Sequence, residues 1–169
     1  ETTNTLILGS NAFIFPAENI QIENEPSFYT GNSFFNQAWV ETPSSTTKRD
    51  GLGPLYNARS CAACHFKDGR GQPPTEDEPL LGLLFRLSVV GEDENGGPLG
   101  DSNYGGQLQP FSVLEGTPEL TFQVQYEEFS GTYGDGTTYT LQKPIYTFPT
   151  LNYGDLPPDM MISTTWIRS

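Results

Sequence analysis

All cysteines and the single histidine of this chain lie in one stretch, Ser60-Cys61-Ala62-Ala63-Cys64-His65. The stretch has the pattern C-x-x-C-H, which is the attachment signature of a c-type haem. On a helix, Cys61 precedes Cys64 by three residues and His65 by four, so the three side chains share one face. Two thioether bonds can then hold the porphyrin edge while the imidazole reaches the iron as one axial ligand. The stretch therefore predicts one covalent haem c, bound by Cys61, Cys64 and His65.

Two other uses of this stretch stay open. A structural zinc site needs four ligands, so carboxylates or another chain would have to complete it. A redox dithiol or a plain disulfide is the other use, although a thioredoxin-like pair accompanies an α/β pattern that the sequence lacks. Since His65 is the sole histidine, its ligation to a metal leaves no histidine to act as a general base.

Length and composition describe one loop-rich globular domain. A chain of 169 residues fits a single domain, and its 18 glycines and 14 prolines stay below the level of disordered chains. No run of about 18 apolar residues is present, so no membrane span is predicted. The net charge of −13 makes the chain a poor ligand for nucleic acid or for an anionic membrane surface.

Positive charge is concentrated around the C-x-x-C-H stretch. Five of the eight lysines and arginines fall between residues 48 and 70, beside two aspartates, which gives that segment +3 and the remainder −16. Such an island can pair with the two haem propionates, and arginine does so with paired hydrogen bonds. Ordinary surface charge is the alternative. The residues predicted to bind the propionates are Arg49, Arg59 and Arg70.

Two short helices are predicted in the first half of the chain. Asn32 and Ser33 can cap a helix that runs to about Val40. Pro54 is tolerated in the first turn of a second helix, which would continue to His65 and present the haem motif.

Strands are predicted in the second half. The apolar run Leu83–Val90 ends in two β-branched residues before a glycine, which favours a strand. Thr121–Tyr126 alternates and can pair with Thr137–Leu141 across a glycine-rich turn at residues 131–136. The sequence therefore predicts an α+β fold: an irregular arm over residues 1–30, then a loop-rich c-type cytochrome domain over residues 31–169. In that domain, short helices surround one covalent haem, and a β-hairpin is inserted at about residues 107–148.

A longer run around the motif carries a family resemblance. It reads KRDGLGPLYNARSCAACH over residues 48–65, followed by DGRG over residues 68–71. This run resembles the first haem region of the bacterial di-haem oxidoreductases, which are also labelled thiol oxidoreductases and are related to the di-haem cytochrome c peroxidases. YGGQLQ at residues 104–109 and LQKPIY at residues 141–146 also follow the family pattern, so the resemblance covers roughly residues 30–169.

The chain also departs from that family. Its members are longer and carry a second C-x-x-C-H toward the C-terminus, whereas this chain contains one. The resemblance therefore implies a second polypeptide or protomer that completes the family fold and carries another haem, whether the chain is a processed fragment or a natural half. Peroxidase chemistry in the relatives uses two cooperating haems, so it is not carried over to this chain alone.

The second axial ligand decides what one haem can do. A methionine thioether favours electron transfer, whereas an open position permits peroxide or oxygen chemistry. The only methionines are Met160 and Met161, and one of them is predicted as the sixth ligand. Alternation along a strand puts the two on opposite faces, so only one can ligate. Core packing by a flexible side chain, or ligation by a tyrosine, water or another chain, is the alternative.

These observations lead to a functional prediction with two alternatives. The leading prediction is electron transfer through one covalent haem within a larger multi-haem assembly, because no other group in the sequence is catalytic. The alternatives are the N-terminal half of a di-haem peroxidase-like oxidoreductase, and a structural or filament subunit organised by haem; whether the chain is an enzyme stays open. Covalent attachment in bacteria takes place outside the cytoplasmic membrane, so the protein is predicted to be periplasmic or extracellular and to meet a redox partner protein there.

Overall fold

In a computed structural model of the chain, residues 9–71, 73–74, 81–158 and 160–166 are described. Two regions differ in architecture within these ranges. The helical region, residues 9–71, contains both α-helices, and the sheet region, residues 81–158 and 160–166, contains most of the strands. No helix in the described ranges is long and apolar enough to cross a membrane.

Helix α1 spans Glu25–Asn36 and follows a 3₁₀ turn at Ile22–Asn24. Pro26 lies in its first turn, where its missing N–H breaks no helical hydrogen bond. The helix ends where Gln37 takes an extended conformation. The predicted start at Asn32 is therefore wrong, because the proline, and not the asparagine, marks the start of the helix, and α1 crosses the predicted boundary between residues 30 and 31.

Helix α2 is shorter than predicted and spans Cys61–Cys64. Leu55 and Tyr56, expected to be helical, form strand β1, which pairs antiparallel with Phe111–Ser112. The Pro54 carbonyl accepts a hydrogen bond from the Val113 N–H at 3.0 Å. Pairing with a distant segment therefore replaces the first turns of the predicted helix, and only its last turn forms.

The sheet region is built from antiparallel strands. Strand β2, Leu83–Glu92, lies between β3, Pro98–Leu99, and β7, Met161–Trp166, in a three-stranded sheet. Strands β5, Leu120–Thr132, and β6, Thr138–Leu151, form a long hairpin. The strand at Leu83 and the hairpin are both confirmed, and both are longer than predicted. The remaining strand is β4, Phe111–Ser112.

The hydrophobic core belongs entirely to the sheet region. The ring of Phe85, from β2, lies 5.1–5.4 Å from three rings of the hairpin, those of Phe122, Tyr146 and Phe148. By contrast, none of the described residues from 9 to 71 is fully buried. The buried apolar side chains are Leu83, Phe85, Leu87, Tyr104, Leu108, Leu120 and Val124.

Candidate haem site

The C-x-x-C-H stretch folds as one capped helical turn. The Ser60 hydroxyl accepts a hydrogen bond from the Ala63 N–H at 3.1 Å, which caps α2. At the other end, the His65 N–H donates to the Cys61 carbonyl at 2.9 Å. His65 itself leaves the helix, with φ −104° and ψ 63°. Both thiols are free, Cys61 exposed and Cys64 half-buried, so the motif presents two thiols and an imidazole within one turn.

The imidazole of His65 is held by a backbone carbonyl. Its Nδ1 lies 2.9 Å from the Gly69 oxygen. Because a carbonyl can only accept, Nδ1 carries the proton, and in the neutral ring Nε2 keeps its lone pair. A second ring nitrogen fixed in this way is the usual support of a metal-binding histidine, since it sets both tautomer and orientation. His65 is therefore prepared to bind a metal through Nε2.

His65 lines a cavity of about 550 Å³. This volume falls in the range of about 300–1,000 Å³ common for cofactor sites. Three phenylalanines contribute walls, and the Phe35 ring lies 5.9 Å from the imidazole, centroid to centroid. The lining residues are Phe13, Ser27, Phe28, Gly31, Asn32, Phe35, His65 and Asp68.

Helix α1 supplies one wall of this cavity by its spacing. Phe28, Gly31, Asn32 and Phe35 lie at positions i, i+3, i+4 and i+7, which places them on one face of the helix. The small residue in the middle of that face leaves room between the two rings. This face of α1 therefore presents two aromatic rings with a gap between them.

The segment after His65 has an unusual backbone. Lys67 and Asp68 both take left-handed conformations, with φ 53° and 59°, which side chains other than glycine rarely adopt. Asp68 lines the cavity, and among the described residues its buried Oδ1 has no hydrogen-bond partner. A left-handed turn that places a residue with such a carboxylate oxygen in the cavity wall is typical of a functional position.

The N-terminal arm is attached to this same turn. The Lys67 ammonium donates to the Asn11 side-chain oxygen at 2.7 Å and to the Ser10 hydroxyl at 3.2 Å. Two residues further along the arm, Phe13 reaches the cavity wall. The arm therefore lies against one side of the site, and Lys67 fastens it there.

Burial raises the pKa of the Cys64 thiol, and the neighbouring Cys61 raises it further. A thiol with a raised pKa is mostly protonated at neutral pH. Reactive redox cysteines have lowered pKa values instead. The electrostatics around Cys64 therefore do not favour the redox-dithiol alternative.

The three predicted propionate ligands occupy different surroundings. Arg49 is half-buried, donates to the Ser33 carbonyl and hydroxyl at 3.2 Å each, and lies 4.7 Å above the Phe34 ring. Arg49 thereby links the segment before β1 to α1. Arg59 is exposed and donates to the Tyr56 hydroxyl at 3.1 Å. Arg70 is exposed next to Gly69. The cavity lining in the described chain includes none of the three, so their role toward a haem stays a prediction.

The two methionines lie in the sheet region. Met160 packs against the hydrophobic core, and Met161 begins β7 with 70% of its surface exposed. Neither is among the residues that line the cavity. The structure therefore does not bring the predicted sixth ligand together with His65, and that prediction is left to experiment.

The residues present fit a covalent haem. Its flat apolar ring suits phenylalanine walls, its iron suits an imidazole with a free Nε2, and its two thioether bonds suit the free thiols of α2. Cys61, Cys64 and His65 would hold the group, with Phe28 and Phe35 beside it.

The sequence indicated the three attachment residues but not the rest of the site. Phe28 and Phe35 share a face with Gly31 and Asn32, and these two interrupt the apolar pattern by which such a face is recognised. In the sequence, Asp68 contributes one charge and begins the DGRG run of residues 68–71. Neither feature predicts that its side chain lines a cavity.

Comparison with protein families gives one match. Residues 2–79 match the family described as di-haem oxidoreductase, putative peroxidase. The resemblance read from residues 48–71 is thus confirmed, and the match extends through the arm, whereas it does not reach the two later runs at residues 104–109 and 141–146. Neither the curated proteins nor the solved structures give a match to this chain.

Proposed function

We propose, from the match of residues 2–79 to the di-haem oxidoreductase family, that this chain is the N-terminal haem-bearing part of a di-haem oxidoreductase that acts on peroxide. Haem binding and oxidoreductase chemistry follow from the family. We further propose that this chain carries one covalent haem c with an axial position open to peroxide, and that the helical region is its c-type haem domain.

The observation that carries the proposal is the environment of His65. Its Nδ1 is bound to the Gly69 carbonyl, which leaves Nε2 for the iron, and the cavity beside it is lined without a methionine. A haem with one strong protein ligand and a second position without a sulfur ligand is suited to peroxide or oxygen chemistry. The placement of Met160 and Met161 in the sheet region favours this function over the predicted methionine-ligated electron carrier.

The residues of this chain have definite tasks in the proposal. The thiols of Cys61 and Cys64 would hold the haem through thioether bonds, each formed by addition of S–H across a vinyl group with no leaving group. His65 would ligate the iron through Nε2, and the Gly69 carbonyl orients the imidazole. The phenylalanines of α1 would exclude water from the site. When bound, the haem supplies one-electron redox chemistry at its iron.

The reaction also requires partners. Reduction of hydrogen peroxide to two waters consumes two electrons and two protons, and one haem stores one electron between its ferric and ferrous states. A second haem-bearing polypeptide or protomer, and a redox partner protein as electron donor, are therefore part of the proposal. We also propose that the protein is exported, since covalent attachment of haem c occurs outside the cytoplasmic membrane.

Absorption spectroscopy of the purified, haem-loaded chain tests the open position. Oxidised and reduced spectra are recorded with and without carbon monoxide. The proposal expects a high-spin component or a carbon monoxide adduct. A low-spin spectrum that carbon monoxide leaves unchanged would overturn the open site.

Matched variants decide between the two functions. Leucine keeps the volume of methionine and removes its sulfur, so Met160→Leu preserves the packing against the core. If either Met160→Leu or Met161→Leu converts a low-spin spectrum into a high-spin one, the chain is a methionine-ligated electron carrier. If both variants keep the wild-type spectrum, the methionine ligand is wrong and the peroxide-reactive site gains support.

Electron transfer through one haem remains the second candidate. It is favoured by the single histidine, because ligation of His65 leaves none to move protons for peroxide cleavage. The third alternative is a structural subunit organised by haem. Such a subunit would assemble equally well whether or not its iron can be reduced, which distinguishes it from both redox functions.

A further inference from the structure

We infer that Asp68 is a redox-tuning residue: its carboxylate, one oxygen of which is buried, stabilises the ferric over the ferrous state of a haem bound at His65. The inference rests on the proposed haem site and adds to it the group that sets the reduction potential.

Asp68 is the one residue with a formal negative charge among those that line the cavity. The others are aromatic, small or polar, apart from His65. Within the described chain, Oδ1 of Asp68 has no hydrogen-bond partner and is shielded from solvent. This oxygen is therefore paired with no cation or hydrogen-bond donor in the part of the chain that the structure describes.

The backbone fixes where this charge lies. The Asp68 N–H donates to the His65 carbonyl at 2.9 Å, and the Gly69 carbonyl binds the imidazole. Asp68 is thus held between His65, the proposed axial ligand, and Gly69, which orients its imidazole. The left-handed conformations of Lys67 and Asp68 give this turn its shape, and aspartate is one of the few residues that tolerate such a conformation.

A fixed charge in such a place acts on the iron. Ferric haem carries one more positive charge than ferrous haem, so a nearby carboxylate favours the ferric form. The interaction is stronger in a shielded, apolar site than in water, because the effective dielectric constant is lower. The Asp68 carboxylate should therefore lower the reduction potential of this haem.

The role of Asp68 explains why Lys67 and Asp68 both keep a left-handed conformation. A pair of left-handed residues costs stability and persists where the surrounding structure or the function demands it. Here the turn serves two purposes, since it delivers the Gly69 carbonyl to Nδ1 and the Asp68 carboxylate to the cavity. An uncharged residue at position 68 would keep the first purpose and lose the second.

The test is a redox titration of the haem-loaded chain and its Asp68→Asn variant, followed by absorbance. Asparagine has the same shape and also tolerates the left-handed conformation, so the variant removes the charge alone. We expect at least a tenfold increase in the ferrous-to-ferric ratio at a fixed applied potential, which for one electron corresponds to a rise of ~59 mV. Glu127→Gln, which removes one charge from an exposed position on β5, is the matched control and should leave the potential unchanged.

Several outcomes overturn the inference. One is an equal shift in Asp68→Asn and Glu127→Gln, and another is the absence of a shift in both. If Asp68→Asn does not take up haem, Asp68→Ser provides a second neutral side chain that must raise the potential, while Asp68→Glu must keep it near the wild-type value. Loss of covalent haem in all three would make Asp68 a structural residue and would also overturn the inference.

Failure of the proposed function has a different signature. If the wild-type chain carries no covalent haem after expression with a cytochrome c maturation system, the haem site itself is wrong. If the wild type is loaded and its potential does not respond to position 68, only the role of Asp68 is wrong.

Discussion

The helical region and the sheet region of this chain are stabilised in different ways. Among the described residues, all seven buried hydrophobic side chains lie in the sheet region, and six of them, Phe85 included, form one cluster. The described helical region has none, although it contains the whole C-x-x-C-H stretch and α1. Three of its aromatic side chains line a cavity of about 550 Å³.

This difference indicates what the helical region lacks. Burial of apolar surface is the main favourable term in folding, and the phenylalanines that line the cavity are at most half-buried. A haem between them would bury the faces that line the cavity, so the prosthetic group would add to the core of this region. The core of the sheet region is formed by its own side chains.

The largest effect is expected from removing the attachment residues. The double variant Cys61→Ala/Cys64→Ala cannot form thioether bonds, so the helical region should lose both its haem and its protection from amide hydrogen exchange. Amides of β2 and of the β5–β6 hairpin should stay protected, because their core is independent of the cavity. Hydrogen exchange read by mass spectrometry compares the two regions in one sample.

A uniform loss of protection in both regions would show that the sheet region also depends on the haem. Full protection of α1 in the colourless variant would show that the helical region has a sufficient core of its own. Either result would contradict the contrast between the two regions.

The converse change is made in the core of the sheet region. Phe85→Ala removes a ring that contacts three others, and such truncations cost about 3–5 kcal/mol. We expect a loss of this size in denaturant unfolding of the sheet region, while covalent haem is still attached. Phe129→Ala, on the hairpin with 49% exposure, is the control and should change stability by about 0.5 kcal/mol or less. Equal losses in the two variants would refute the position of the core.

The sequence predicted the two regions unequally, for physical reasons. The strand at Leu83 was predictable because its apolar run ends in two β-branched residues before a glycine, and the hairpin because an alternating segment is followed by a glycine-rich turn. The predicted start of α1 was wrong because the helix begins at Glu25, with Pro26 in its first turn. The predicted helix before Cys61 was wrong because Leu55 and Tyr56 pair with residues more than fifty positions away. Local patterns do not contain such long-range pairings.

The candidate site was predictable only where chemistry fixes spacing. Cys61, Cys64 and His65 follow from the geometry of attachment. The Gly69 carbonyl and the Asp68 carboxylate depend on a left-handed turn, and Phe13 depends on how the arm returns to the cavity. These features are set by backbone conformation and tertiary contacts, which leave little trace in residue types.

A smaller, pH-dependent effect is expected at Glu119 in the sheet region. The side chain is 5% exposed, and burial raises the pKa of its carboxyl above the ordinary 4.5, although the hydrogen bond from the Gln109 N–H at 2.6 Å opposes this. The folded chain therefore retains this proton to higher pH than the unfolded chain does. The contribution of Glu119 to stability is greatest at low pH, falls as the pH rises from 4.5 through the raised pKa, and then levels off.

Glu119→Gln removes that titration and keeps an oxygen for the Gln109 N–H. Its stability relative to wild type should therefore rise between pH 4 and pH 7, as measured by urea unfolding at both values. Glu119→Ala, which leaves the Gln109 N–H unpaired, should instead lose about 1–3 kcal/mol. A relative stability of Glu119→Gln that falls over the same range would contradict the raised pKa.

The smallest effect is expected where the arm meets the cavity. Lys67→Ala removes the hydrogen bonds to Ser10 and Asn11, which are exposed and so contribute no more than about 1 kcal/mol. A loss of that size multiplies the population of the detached arm about fivefold. Limited proteolysis should then cut the arm about five times faster, while global stability barely changes. Lys48→Ala, which replaces an exposed lysine of the same basic segment, should leave the rate of proteolysis unaltered.

Carbon monoxide binding tests the same contact from the side of the cavity. Because Phe13 lines the cavity from this arm, carbon monoxide should bind faster to the haem-loaded Lys67→Ala chain than to the wild type. An unchanged rate of binding would mean that ligands reach the iron without displacing the arm.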